Sequence, residues 1–285
     1  MDAQDSSETG IFNRGPGGGP QPARPNFRVY YAAAMFAREL QPTELADGVV
    51  RLGTDKVNWF LLADDSGVTI VDCGMPAYFS QLDAGLSFLG KTRSDVRAVI
   101  LTHGHDDHVG FAERARTELG VPVYVHRDDE NLTTTRKAFG KTEKPLTAYL
   151  GRPYAYRFLA HLATAGGKAK PVQTVTTFGG GETLDVPGRP QAIHTPGHTT
   201  GHTVFFLESS GTLLLGDLLC TLNPLTGARG PQLLPAAFNL STATMLDSLT
   251  TIEELDAKTL GFGHGEPWTD GVAEAVRRAR ATGPT

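Results

Sequence analysis

The stretch Thr102-His103-Gly104-His105-Asp106-Asp107-His108 constrains this chain most, because it sets three imidazoles and two carboxylates in six consecutive positions. It follows an apolar run, Ala98-Val99-Ile100-Leu101, that reads as a buried strand. Any fold of this chain must therefore hold a dense polar loop at the end of a core strand. Imidazole nitrogen and carboxylate oxygen suit zinc and related divalent ions. The pattern His-x-His-x-Asp-His offers more ligands than one tetrahedral ion accepts, which points to two ions and to hydrolysis.

The surrounding chain alternates strand and helix signals. Val49 to Leu52, Val57 to Leu62 and Val68 to Val71 read as consecutive strands, with Asp64-Asp65-Ser66-Gly67 as the turn joining the last two. Tyr78 to Leu89 has helical spacing of Phe79, Leu82, Leu86 and Leu89. A strand from Ala98 to Thr102, a helix from Phe111 to Leu119 and a strand from Val121 to Val125 follow. Residues 127–170 change to helical pieces broken by Gly and Pro. Strands resume at Val172 to Thr177, Gln191 to Thr195, Thr203 to Leu207 and Thr212 to Leu215. A helix from Leu240 to Leu255 capped by Ser241, a strand from Lys258 to Phe262 and a helix from Gly271 to Ala281 complete the pattern. Such an order implies packed sheets covered by helices, an α/β arrangement in layers. Residues 1–26 are rich in Gly and Pro and poor in apolar side chains, so they read as a disordered N-terminal tail. Residues 27–285 read as a single domain.

With 285 residues and 40% apolar content, the chain can bury a sizeable core. Its net charge is −5 without any block of like charge, so no nucleic acid and no membrane is expected as a partner. Two cysteines, Cys73 and Cys220, are too few for a disulfide framework and suit a reduced, cytoplasmic setting. No apolar run approaches the roughly 20 residues of a membrane span. The N-terminus lacks the basic-then-apolar pattern of an export signal.

Further acid and histidine positions fall just after strands. His198 lies in Thr195-Pro196-Gly197-His198, Asp217 follows Leu215-Gly216, His264 sits in Gly263-His264-Gly265, and Asp72 ends the strand Val68 to Val71. Their glycines let the backbone turn sharply or approach a metal closely. His194 lies within a strand and His202 begins the next, which suits hydrogen bonding near a site better than ligation. His126 reads as a cap or surface residue, and His161 as a helix residue among Phe158, Leu159 and Leu162. Cys220, three residues past Asp217, reads as a buried free thiol.

In this order, Val71-Asp72-Cys73-Gly74, His103 to His108, Gly197-His198, Gly216-Asp217 and Gly263-His264-Gly265 resemble the metallo-β-lactamase superfamily of metallohydrolases, on its glyoxalase II and lactonase side. The resemblance covers most of the chain beyond the tail. It implies a four-layer αββα sandwich with metals at one edge of two sheets. It also implies that His103, His105 and His198 hold one ion, that Asp107, His108 and His264 hold the other, and that Asp217 bridges them. The ions would be two Zn2+, with manganese or iron as alternatives. Asp72 would orient a ligand histidine, although simple strand termination explains it nearly as well, and His202 would support the site from behind.

The implied reaction is hydrolysis of an ester, thioester or lactone by a hydroxide bridging the two metals. Asp107 would orient that hydroxide and shuttle a proton while also ligating. No G-x-S-x-G elbow is present, and none is required. True β-lactamases of the superfamily generally lack the bridging aspartate, the quorum-quenching lactonases carry a tyrosine where Leu218, Leu219 and Cys220 stand, and the glutathione-binding extension of glyoxalase II is absent. Residues 127–170 occupy the family's variable substrate-covering region. They hold nine Lys/Arg against four acids, interleaved with Tyr149, Tyr154, Tyr156 and Phe158. That suits a small acyl substrate with an anionic group, though a solvated helix face explains the charge equally well. The apolar stretch from Leu218 to Phe238 would form an opposite wall. A homodimer is an open option. Competing expectations are a mononuclear iron persulfide dioxygenase using His103, His198 and Asp217, a β-lactam hydrolase, and a non-catalytic metal-binding scaffold.

Overall fold

The computed structural model describes residues 37–137 and 140–285, so the expected tail over residues 1–26 lies outside the described residues. Seven strands form the first sheet in spatial order β1 to β7: β1 (Thr43–Ala46), β2 (Val49–Gly53), β3 (Asn58–Asp64), β4 (Gly67–Val71), β5 (Val96–Ile100), β6 (Val123–His126) and β7 (Thr176–Phe178). The first four form an antiparallel meander, and β4 to β7 run parallel. The β3–β4 turn closes as its sequence predicts, with the Ser66 amide donating to Asp64 Oδ1 at 2.7 Å.

β8 (Gln191–His194), β9 (Thr203–Leu207) and β10 (Thr212–Leu214) pair antiparallel in the second sheet. β11 (Cys220–Leu222) and β12 (Arg229–Gln232) form a separate hairpin, and β13 (Thr259–Gly261) returns to lie parallel to β10. The period-2 alternation of each strand sorts its residues between layers. On β3, Phe60 and Leu62 face the second sheet with Phe205, Leu207 and Leu214, whereas Trp59 and Leu61 face helices carrying Leu82, Leu86 and Ala112. On β9, Val204 and Phe206 turn the other way, toward Met245, Leu249, Val272 and Val276 of the opposite helices. The result is helix, sheet, sheet, helix: the αββα sandwich. Each large apolar side chain buried in these layers contributes roughly 1.5–3 kcal/mol, so the layers rather than the loops carry the stability.

Most expected elements are present with shorter bounds. The helix expected from Tyr78 begins as a 3-10 turn, Pro76–Gln81, before the α-helix Leu82–Phe88, because Pro76 sets the first turn. The helix expected over Leu240–Leu255 is α-helical only over Thr242–Ser248, and Ser241 Oγ caps it by accepting from the Thr244 amide at 3.1 Å. The strand expected over Val172–Thr177 reduces to Thr176–Phe178. β1 and the β11–β12 hairpin are additional. The hairpin lies inside the stretch that reads from sequence only as an apolar, Pro- and Gly-rich wall. Residues 127–170 are short helical pieces: Arg127–Asp129, Glu130–Thr135, Leu146–Tyr149 and Pro153–Thr164. No helix among the described residues is long and apolar enough to cross a membrane.

Candidate metal centre

Every expected ligand leaves the C-terminal end of a strand. His103 and His105 follow β5, and Asp107 and His108 lie on the single helical turn Asp106–Val109 that comes next. His198 sits in the β8–β9 loop, Asp217 follows β10, and His264 follows β13. Because β10 and β13 are parallel neighbours, Asp217 and His264 emerge side by side.

These side chains converge. His198 Nε2 lies 3.2 Å from His103 Nε2 and 2.9 Å from His105 Nδ1. His264 Nε2 lies 3.5 Å from Asp107 Oδ2. The Asp217 carboxylate stands between these groups, with Oδ1 3.3 Å from His108 Nε2 and Oδ2 3.4 Å from His198 Nε2 and 3.3 Å from His264 Nε2. The Asp217 and Asp107 spacings match the roughly 3.3–3.5 Å between neighbouring ligands of a tetrahedral ion with bonds of about 2.0–2.1 Å, and the His198 contacts to His105 and His103 are tighter. Three overlapping triads with metal-ligand spacing result: His103/His105/His198, His103/His108/Asp217 and Asp107/His108/His264.

The backs of the imidazoles are fixed. His108 Nδ1 donates to Asp72 Oδ2 at 2.8 Å, His198 Nδ1 donates to Asn239 Oδ1 at 3.0 Å, and His264 Nδ1 donates to the Lys56 carbonyl at 2.7 Å. Thr102 Oγ1 donates to Asp72 Oδ2, so its lone pair receives His103 Nδ1–H at 3.0 Å. In each of these four rings, when neutral, Nε2 keeps the lone pair and faces inward, the arrangement by which oxygen acceptors orient metal-binding histidines. His108 Nε2 and Asp217 Oδ1 are buried with no hydrogen-bond partner. Such orphaned polar atoms are costly unless another ligand satisfies them, and a cation would.

Electrostatics agree. Burial pushes His103 and His105 below the ordinary imidazole range and His198 down to about 4, which leaves neutral lone pairs. Burial works the same way on His108 and His264, but the Asp217 carboxylate, joined by Asp72 for His108 and Asp107 for His264, outweighs it and raises both. Burial would raise Asp217, yet His264 and His108 hold it well below the carboxylate range. The field at this point favours positive charge, whether carried by protons or by ions.

Asp72 takes a left-handed backbone (φ 57) at the end of β4 while accepting from the Thr102 amide, the Thr102 hydroxyl and His108. Strain of this kind clusters where a side chain is held for a purpose. His202 lies behind the centre: its Nε2 accepts from the Asp217 amide at 3.0 Å and its Nδ1 meets Thr195 Oγ1 at 2.9 Å. Gly263 is a close-approach position, since a Cβ there would overlap the Asp217 carboxylate and the His108 ring.

Sequence reasoning missed the residue that ties the ligand loops together. Asp129 is fully buried, and its carboxylate accepts from the amides of Gly104 and Gly201 and from Thr199 Oγ1 at 2.7–2.9 Å. It thus joins the His103–His105 loop to the His198 loop. Its only sequence signal was the shared habit of following a strand, hidden in the acidic run Asp128-Asp129-Glu130. Asn58, which donates to the carbonyls of Phe262 and Gly265 on either side of His264, read only as a strand residue at the start of the family resemblance, with no role of its own. His126, expected as a cap or surface residue, does cap the turn Arg127–Asp129, but it is buried rather than on the surface. His161 is a buried helix residue bonded to the Tyr78 hydroxyl at 2.6 Å. Cys220 is a buried free thiol.

The chain resembles known proteins throughout this region. Probable metallo-hydrolase YflN of Bacillus subtilis (strain 168) is 27% identical over 238 residues, covering 79% of this chain and 87% of that protein. Probable metallo-hydrolase YybB of the same organism is 25% identical over 214 residues, or 73% and 80% of the two chains. Among solved structures, a metallo-beta-lactamase family protein from Thermus thermophilus is 28% identical with a TM-score of 0.57, covering 86% of this chain and 78% of that one. Rm3 metallo-beta-lactamase reaches a TM-score of 0.65 at 18% identity over 87% and 94% of the two chains, a likeness of fold alone. The sequence pattern of the metallo-beta-lactamase superfamily matches residues 52–264, and with the sandwich and the clustered ligands described above, this chain belongs to that superfamily.

Proposed function

We propose that this metal-dependent hydrolase is dinuclear and cleaves an ester, thioester or lactone. The observation that carries the reading is Asp217, whose two oxygens face His108 on one side and His198 and His264 on the other. His103, His105 and His198 would hold one zinc-class ion, Asp107, His108 and His264 the other, and Asp217 would touch both. Bound ions of this class supply polarisation of a carbonyl and lower the pKa of water to about 7.

The remaining work falls to the chain. The Asp107 side chain is the more exposed of the two ligand carboxylates, at 15% against 3% for the Asp217 side chain, so it can meet a substrate and carry a proton from water to the leaving group. Phe158 stands edge-on to the His264 ring at 5.5 Å and excludes water from that flank. Arg136 donates to Asp106 Oδ1 at 2.6 Å and to the Gly104 carbonyl at 2.7 Å, so this cation of the covering segment holds the ligand loop rather than greeting a substrate. The exposed Lys141 and Lys144 would attract an anionic acyl substrate.

Zinc- and manganese-loaded protein should be offered lactones, thioesters, aryl esters, phosphodiesters and β-lactams. Turnover of one or more of the first three classes supports the reading. Activity confined to phosphodiesters or β-lactams overturns the substrate class. One iron per chain with sulfite released from a persulfide would replace hydrolysis with the dioxygenase reading, which leaves the convergence of His105, Asp107, His108 and His264 unexplained.

A further inference from the structure

We propose that His126, His194 and Asp128 form a separate site for one zinc-class divalent ion, outside the centre built around Asp217. His126 ends β6 and His194 ends β8, so the two come from different sheets. Their rings stack at 4.1 Å with 9° between planes, so both must tilt about their Nε2–H bonds for the two in-plane Nδ1 lone pairs to meet on one ion. One donor atom from each ring and one oxygen of Asp128 lie within 4.8 Å of one another.

The hydrogen bonds prepare both rings in the same way. His126 Nε2 donates to the Gly179 carbonyl at 2.7 Å, and His194 Nε2 donates to the Thr200 carbonyl at 2.8 Å. A carbonyl only accepts, so in each neutral ring Nδ1 carries the lone pair. Carbonyl-fixed Nε2–H with a free Nδ1 lone pair is the orientation that serves a metal-binding imidazole. Asp128 Oδ2 lies 3.7 Å from His126 Nδ1, near the ligand-to-ligand spacing of a tetrahedral zinc with bonds of about 2 Å. The only contact His126 Nδ1 would give up is a 3.2 Å bond from the Asp128 amide. Burial, reinforced by the neighbouring His194, holds His126 below the ordinary imidazole range, so it is neutral when an ion arrives. The Asp128 side chain is 51% exposed, which gives the ion a way in.

The donor set of two imidazoles and a carboxylate suits zinc, copper(II) or nickel far better than magnesium or calcium. An ion here would act on the principal centre mechanically. Asp128 adjoins Asp129, which binds both ligand loops, and Thr200 Oγ1 donates to the Asp128 carbonyl at 3.0 Å. The ion would staple the His198 loop to the turn after β6.

The test counts ions by difference. Wild type, His194→Gln and Asp128→Asn are dialysed against the same buffered free zinc, and zinc per chain is measured, with circular dichroism to check folding. Each variant should hold one ion fewer than wild type, and equal counts overturn the proposal. The comparison is repeated in an Asp217→Asn, His264→Ala background, so that failure of the principal centre cannot mimic failure of this one. There too, His194→Gln should remove one further ion. On the wild-type protein, zinc should shift the Nδ1 resonances of His126 and His194 in nitrogen-15 spectra while leaving both Nε2–H groups in place. Unmoved Nδ1 resonances at saturating zinc also overturn the site.

Discussion

The ligand floor and the covering segment follow opposite rules. On the floor, His103, His108, His198, Asp217 and His264 are each no more than 2% exposed, and their outer atoms are tied to Asp72, Thr102, Asn239, the Lys56 carbonyl or His202. In the cover, every described residue from Gly140 to Pro153 is exposed except Tyr149. The cover touches the floor through a few anchors. Asp129 and Arg136 grip the ligand loops, the Glu143 amide donates to the Asn239 carbonyl at 3.0 Å, and Phe158 leans on His264. The candidate ligands are thus buried groups whose removal would deprive Asp72, Asn239 or the Lys56 carbonyl of a partner. The cover, which we propose faces the substrate, is a surface where most changes cost little stability.

The largest effect expected comes from breaking the floor at its centre. Asp217→Asn keeps the shape but removes the shared charge facing His108, His198 and His264. Turnover should fall by more than the roughly 10- to 100-fold typical of losing an orienting partner, and at least one bound ion should be lost. Steady-state kinetics beside elemental analysis decide it. Unchanged ion content and rate would mean that the floor is not organised around Asp217.

Next in size is the seam between floor and cover. Asp129→Asn places a donor amide among the Gly104 and Gly201 amides and the Thr199 hydroxyl, all of which donate to it. Losing a charge-assisted acceptor and burying unsatisfied donors should cost about 3 kcal/mol of stability, read by urea unfolding. Metal affinity should fall about 10-fold or more, because both ligand loops relax. If stability drops while affinity holds, the seam supports the fold but not the centre.

The floor was far more legible in the sequence than its supports. The candidate ligands were legible because His and Asp beside Gly crowd at the ends of short apolar runs such as Ala98–Leu101 and Leu213–Leu215. Asn58, Asn239 and Asp129 were not legible, since an amide or acid becomes a support only when a distant loop arrives, and Asn58 meets its partners across more than 200 positions. The β11–β12 hairpin was hidden for a related reason: its register shifts midway, and the Thr221 amide donates to the His264 carbonyl, so pairing outside the hairpin shapes it more than its own alternation does.

Smaller effects sharpen the cover's side of the contrast. Phe158→Leu keeps an apolar side chain at a buried position while withdrawing the ring from His264 and from Phe238, 6.2 Å away. Stability should fall by only about 1 kcal/mol. If Phe158 is a binding wall, KM should rise about fivefold with kcat held, the mark of lost uniform binding. A fall in kcat with KM unchanged would instead place it with the floor. The smallest change expected is from replacing Lys141 and Lys144 together by Gln. Both side chains are exposed, and they flank the Glu143 anchor, with the Lys144 amide donating to the Ala236 carbonyl at 3.2 Å. If they only steer, KM for an anionic ester should rise about twofold at low salt, KM for a neutral ester should not move, and the difference should vanish as ionic strength shortens the Debye length to about 3 Å near 1 M. A difference that survives high salt would mean that one of these lysines contacts bound substrate directly, and the cover would then have a floor of its own.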